Sequence, residues 1–208
     1  EVKNSEICPR YAGRAMMNVK VAPSPEWLKK RLESIGVKSI NNIVDVTNYV
    51  MHELGQPLHA FDLAELKGHK VSIEQAKPGE KFTSLDGTEK TLTGEELTIR
   101  DSERPIALAG IVGGKNSGIQ EGTQNIFIEA AYFSAASVRK TSRALNIETD
   151  SSYRFSRGVN PEAVPLAMNR AAQLIQKLAG GEIAGQAYDI YPKAIGPKLI
   201  SISLELIS

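Results

Sequence analysis

The 208-residue sequence holds a single cysteine, Cys8, which excludes an internal disulfide framework. With no histidine in ligand-like spacing, Cys8 reads as a small buried residue, and the chain as a protein of a reducing, cytoplasmic compartment. No apolar run approaches the roughly 20 residues that span a bilayer, and EVKNSEICPR lacks the hydrophobic stretch of a secretory signal, so no membrane partner is expected. Neither sign of charge dominates: 25 basic and 24 acidic residues leave a net +1. That balance is too even to hold duplex nucleic acid by phosphate neutralisation alone, so any polyanion contact is local. Internal repeats and low-complexity tracts are missing as well.

Several chemical signatures fail on detail. GIVGGKN, from Gly110 to Asn116, has three residues between its first glycine and the Gly-Lys pair where a phosphate loop needs four, and Asn116 stands where a hydroxyl should reach magnesium. His52, His59 and His69 lack metal-ligand spacing with one another or with Cys8, so no metal is expected. No Gly-x-Ser-x-Gly elbow occurs.

The segment Ile126 to Val159 is what the rest is organised around. It opens as a strand with Ile126, Ile128 and Ala130 on one face and Phe127, Glu129 and Ala131 on the other, which sets a carboxylate among apolar neighbours. A helix follows, with Ser134 as N-cap, Val138, Thr141 and Leu145 as its buried stripe and Asn146 as a left-handed stop. Glu148 to Ser152 reads as a polar loop, and Tyr153 to Gly158 interleaves aromatic and basic residues. Together they suit a pocket for a small polar group attached to something anionic.

Around it, Ala15 to Val21 alternates as a strand, and Ser24-Pro25-Glu26 opens a helix that Gly36 closes. A second helix is predicted from Asn42 to Leu54, stopped by Gly55. GQPLHAFD then forms a stiff elbow that presents His59, with Asp62 capping a short turn. Strands are predicted near 71–76, 81–85, 89–92 and 97–100, with Asp86-Gly87 as a hairpin turn, before an apolar strand dissolves into Gly110, Gly113 and Gly114. A last helix starts at Asn160-Pro161-Glu162, buries Ala163, Leu166, Leu174 and Leu178, and stops at Gly180-Gly181. Residues 191–198 read as a linker and Leu199 to Ile207 as a strand opening a further module. Without regular βα alternation, the class is α+β.

Each candidate has two readings at this level. Glu129 is either paired to a buried arginine or free for a ligand; His59 is either a satisfied structural histidine or a site residue. The hydroxyls of 149–152 make either a hydrogen-bonded turn or a binding loop. Arg139, Lys140, Arg143, Arg154 and Arg157 are either solvated helix faces or a contact for an anion.

TNYVMHELGQPLHAFD (Thr47 to Asp62), LDGTE (Leu85 to Glu89), ALAGIVGGKNSG (Ala107 to Gly118), IEAAYF (Ile128 to Phe133) and ETDSSYRFSRGVNP (Glu148 to Pro161) resemble, in order, the B3/B4 editing region of the bacterial phenylalanyl-tRNA synthetase β subunit. The resemblance implies a mixed body with a β-sandwich of unusual topology flanked by helices over 1–191, and a linker plus the first strand of a B5-like module over 192–208. It implies hydrolysis of tyrosine wrongly attached to tRNA for phenylalanine, within an enzyme that charges that tRNA with phenylalanine. A structural or tRNA-docking module without catalysis is the alternative. By the same resemblance Glu129 is the pocket acid, His59 and Asn48 are catalytic, and Thr149, Ser151, Gly110 and Gly113 bind the substrate. Relatives often carry alanine where Ser151 stands, so its hydroxyl is expected to narrow or polarise the wall. Arg139, Lys140, Arg143, Arg154 and Arg157 would meet the tRNA 3′ end. The implied partners are that tRNA and a synthetase α subunit in an α2β2 assembly. No cofactor is expected in this segment, ATP and magnesium belonging to the α subunit.

The chemistry holds on its own terms. A phenylalanine pocket cannot fully exclude tyrosine, so a second site must remove it. A buried carboxyl can select the phenol, because a bare ring leaves that carboxyl unpaired at a cost of about 1–3 kcal/mol.

Overall fold

The computed structural model describes residues 1–197 and 199–203. In chain order it contains β1 (Arg10–Met17), α1 (Glu26–Glu33), α2 (Val44–Leu54), β2 (Leu58–Asp62), β3 (Ser72–Gln75), β4 (Lys81–Thr83), β5 (Glu89–Thr91), β6 (Leu97–Arg100), β7 (Pro105–Leu108) and β8 (Val112–Gly113). β9 (Ile126–Tyr132), α3 (Ala135–Leu145), α4 (Asp150–Phe155), α5 (Ala163–Ala179) and β10 (Glu182–Ile190) complete it. One antiparallel sheet runs β10-β1-β9-β2, a second β3-β6-β7-β8, and β4-β5 form a separate hairpin.

Register fixes what each face of the first sheet carries. Ile128 pairs with Arg14 on β1 and Ala60 on β2, while Glu129 pairs with Gly13 and His59. Because strand side chains alternate, Ala12, Met16, Ala60, Ile126, Ile128 and Ala130 share one face. They pack against Leu28 and Leu32 of α1, Val46 and Val50 of α2, and Val164, Met168 and Ile175 of α5. The opposite face carries Tyr11, Phe61 and Ala131 and packs against Ile73, Ile99, Ile106 and Leu108 of the second sheet, with Phe133, Val138 and Phe155 at one end. The result is a sheet-on-sheet sandwich with helices on its outer side, an α+β fold as expected.

Several elements differ from expectation. β1 begins at Arg10 and stops at Met17, where Asn18 turns in the left-handed region, so Val19 and Val21 are not strand. α1 starts at Glu26 with Pro25 as N-cap. Ser134 stands at the N-cap of α3, but its side chain caps nothing; only its carbonyl takes up Val138 N–H. The expected polar loop is α4 from Asp150 onward. Thr149 and Ser152 form a reciprocal capping box that satisfies the free amides and starts a helix where composition suggests a turn.

In α5 Leu166 is 59% exposed. The buried stripe is Val164, Ala167, Met168, Ala171, Leu174 and Ile175, so Leu174 is buried as expected, Leu178 is partly buried beside it, and the alanines bring the helix close to the sheet. β10 has no counterpart among the sequence expectations; it pairs with β1 as an edge strand whose alternation is weak because much of it is exposed. The strand expected over Leu199–Ile207 falls partly on 204–208, outside the described residues, and residues 199–203 have no assigned strand.

Candidate active site

Glu129 lies on β9, the middle strand of the β1-β9-β2 run, and points into the sandwich. It is 5% exposed, and its carboxyl makes no hydrogen bond or ion pair with any described residue. Burial alone pushes its pKa to about 8, so at neutral pH it is mostly a carboxylic acid rather than a carboxylate. The guanidinium partner of the structural reading is not there.

Beside it opens a pocket of about 50 Å³, room for roughly four waters. Its apolar walls include Ile99, Ala107, Leu108, Ile111, Phe133 and Phe155, and its polar lining includes Glu129, His59 and Ser151. Phe133 and Phe155 meet edge to face, with ring centres 5.1 Å apart. This is a slot for a flat apolar group that ends in something able to hydrogen-bond an acid.

His59 faces the same space from β2, directly across from Glu129. Its ring packs edge-on to Phe61 at 4.5 Å, its Nε2 is buried without a partner, and burial lowers its pKa to about 4. A neutral imidazole can donate or accept a hydrogen bond, but it is a weak base. Gly113 makes room for this ring: a Cβ there would lie 2.6 Å from His59 Cε1. Gly110 has φ +71°, and a Cβ on it would press on Phe133, Phe155 and Val138. The amides of Ile111, Gly114 and Lys115 are committed to the carbonyls of Leu108, Ile106 and Thr83. Gly110 lines the pocket, and its N–H has no hydrogen-bond partner among the described residues.

The other expected site residues divide. Ser151 lines the pocket, its Oγ 4.0 Å from Met51 Sδ of α2. Thr149 does not line it: its hydroxyl donates to Ile111 O at 2.7 Å and accepts from Ser152 N at 3.0 Å, tying α4 to the glycine loop. Asn48 is half-buried on α2, one helical turn before Met51 and His52, and does not line the pocket. His52, which sequence reasoning leaves solvated, is half-buried; its Nδ1 sits 3.1 Å from Arg154, and burial and then the charge of Arg154 lower its pKa.

Of the basic residues, Arg139, Arg143 and Arg157 border one surface groove with Ser142, Glu148 and Ser156. Arg157 stacks 3.4 Å over the Tyr153 ring, and Arg139 donates to Ser156 O. Lys140, which borders a neighbouring surface pocket with Arg139 and Arg143, pairs with Glu95 at 3.1 Å, and Arg154 is held by Asp150 and His52. Sequence reasoning misses the walls Ile99, Leu108, Phe133 and Phe155; the two phenylalanines stand inside IEAAYF and SSYRFS, but only packing reveals that their rings face each other. No cluster of three or more potential metal ligands occurs among the described residues. No helix among them is long and apolar enough to cross a membrane.

Comparison with known proteins agrees with this architecture. The chain is 57% identical, over all 208 residues, to the phenylalanine–tRNA ligase beta subunit of Bdellovibrio bacteriovorus, covering 26% of it. Against the Carboxydothermus hydrogenoformans subunit it is 52% identical, with 98% of the chain and 26% of the relative covered. The chain thus spans about a quarter of the length of these relatives. In fold it is similar to an N-terminal fragment of the phenylalanyl-tRNA synthetase beta subunit from Pyrococcus horikoshii, with TM-score 0.57 and 15% identity, covering 99% of this chain and 57% of that one. The B3/4 domain model matches residues 7–180, nearly the whole sandwich and its helices, and the chain therefore belongs to the B3/4 domain family.

Proposed function

We propose that this B3/4 domain hydrolyses the ester linking tyrosine to a tRNA meant for phenylalanine, as the proofreading part of a phenylalanine–tRNA ligase. The observation that carries the reading is a buried, unpartnered acid in an aromatic slot. The ring of tyrosine lies against the apolar wall that Phe133 and Phe155 help form, and its phenol hydrogen-bonds the Glu129 oxygen that faces the pocket. A phenylalanine ring leaves Glu129 orphaned, so the wrong amino acid is the one held.

Hydrolysis then needs little strong acid or base, because an aminoacyl ester is already activated. Water adds to the ester carbonyl, the developing oxyanion is met by Gly110 N–H, the C–O bond to the ribose breaks, and the ribose oxygen takes a proton. His59, neutral, orients the water through its free Nε2. Asn48 is assigned to the terminal nucleotide and Thr149 holds Ser151 in place. The groove of Arg139, Arg143 and Arg157 takes the phosphates of the single-stranded 3′ end, a local basic surface that suits a chain of net charge +1. Phenylalanine activation with ATP and magnesium is assigned to a partner α subunit.

The test compares tyrosyl- and phenylalanyl-tRNA deacylation by the chain, alone and within a complete ligase. Glu129→Ala is expected to slow tyrosyl ester hydrolysis about ten- to a hundredfold, the equivalent of one lost buried hydrogen bond. An unchanged rate removes Glu129 as selector. Retained tRNA binding with no deacylation by wild type would assign the domain to docking.

A further inference from the structure

Tyr11, on β1, is 5% exposed, and its hydroxyl is buried with no partner. It pairs with Ala131, while Gly13 pairs with Glu129, so Tyr11 and Glu129 share one face as diagonal neighbours. Diagonal pairs in an antiparallel ladder lie about 7–8 Å apart, within reach of an aromatic and a long side chain. Gly13 leaves the directly opposed position without a side chain, and the Phe127 ring fills it: a Cβ there would lie 2.0 Å from that ring.

Glu129 therefore has polar company on both flanks, His59 from β2 and Tyr11 from β1. The charge of Glu129 is, after burial, the next cause raising both the Tyr11 phenol and the Cys8 thiol above their ordinary ranges. The second sheet and α4 face it with Ile99, Ala107, Leu108 and Ser151, none of them titratable near neutral pH. A buried hydroxyl without a partner is costly and rare in folded proteins.

We propose that Tyr11 is a positioning residue for Glu129: its hydroxyl engages one carboxyl oxygen from behind, so that the other faces the pocket and the arriving phenol. The contact stands whether or not the chain edits tRNA; its effect on substrate choice rests on the function proposed above. In this arrangement the carboxyl is aimed before substrate arrives, and the slot reads a hydroxyl at one place on the ring.

Tyr11→Phe tests this, since it removes one oxygen and keeps the packing. With glutamate labelled at the side-chain carboxyl carbon, NMR titration of the 208-residue chain should show Glu129 titrating about one pH unit higher in the variant, because a donor to the ionised form is gone. In wild type the ring carbon bearing the Tyr11 hydroxyl should shift in step with the Glu129 titration, a readout that needs no variant. With a complete ligase carrying Tyr11→Phe, KM for tyrosyl-tRNA should rise several-fold with kcat nearly unchanged. An unmoved Glu129 titration together with a Tyr11 resonance blind to it overturns the proposal and leaves Tyr11 as packing. If instead the titration moves but Glu129→Ala leaves deacylation untouched, the contact stands and the editing function falls.

Discussion

The two faces of β9 show how one strand can serve two ends. Its Ile126, Ile128 and Ala130 are buried in the cluster that includes helices α2 and α5, with the partly buried Tyr132 at the end of that face. One residue along, the other face presents Glu129 between His59 and Tyr11, three polar groups whose acid, buried Nε2 and buried hydroxyl have no partners among the described residues. Packing explains the first face completely. It does not explain the second, since apolar residues of the same shape would be more stable there, and unpartnered buried polar groups call for a cause other than packing.

The sharpest way to test that contrast is to exchange the faces. Ile128→Glu would place a charge against α5 with no cavity and no partner, and should cost more than about 4 kcal/mol, enough to leave little folded protein by circular dichroism. Glu129→Leu should instead raise the melting temperature while abolishing tyrosyl-tRNA deacylation. A destabilised Glu129→Leu protein would mean that the acid is structural.

Next in size is a dependence on pH that only the pocket face should show. Glu129 titrates at about 8 in the fold against an ordinary 4.5. The folded protein thus keeps a proton that the unfolded chain has released. Its contribution is full below about pH 4.5, falls as pH rises toward 8, and levels off above, a total on the order of several kcal/mol. His59, neutral in the fold down to about pH 4, contributes the opposite slope up to its ordinary 6.5, so chemical denaturation of wild type should show the net decline between about pH 6.5 and 8, and Glu129→Gln should flatten it. Equal slopes in both proteins would place the titration elsewhere.

A smaller effect is expected at Gly113, which is glycine for the sake of its neighbour. An alanine Cβ would crowd both His59 and the Leu85 methyl, the latter at 3.1 Å. Gly113→Ala should therefore cost about 1–3 kcal/mol and shift the ring resonances of His59. An unperturbed histidine spectrum would show that the ring has slack and that the glycine is not required by it.

Much of this is legible in the amino-acid sequence. The period-two run around Glu129, the stop at Gly55, the left-handed Asn146 and the hairpin at Asp86-Gly87 follow from local chemistry, and they place the acid and His59 on extended backbone. That those two residues stand directly across adjacent strands is set by a register joining positions 59 and 129, and no local pattern carries it. The same applies to Tyr11, whose strand begins before the alternation becomes regular. Thr149 is visible as a hydroxyl but not as a cap, because its partners are the Ser152 amide and the distant Ile111 carbonyl. In α5 Leu174 marks the buried face correctly and Leu166 does not, because much of that face is made by alanines, which allow close approach to the sheet.

The basic groove extends the comparison to the surface, where the smallest change in stability is expected. Arg143 is exposed, and its guanidinium makes no hydrogen bond or ion pair with a described residue, whereas Lys140, on the same helix, is already tied to Glu95. Exposed pairs contribute about 0–1 kcal/mol, so alanine at either position should leave the melting temperature within a degree or two. Binding should separate them. If the groove takes the tRNA tail, Arg143→Ala should lower the slope of log affinity against log salt by about 0.7, one single-strand phosphate contact, while Lys140→Ala changes it less because Glu95 already neutralises that charge. Identical slopes for the two variants would mean that a free guanidinium beside the groove confers no advantage, and the path of the RNA would have to run over another face.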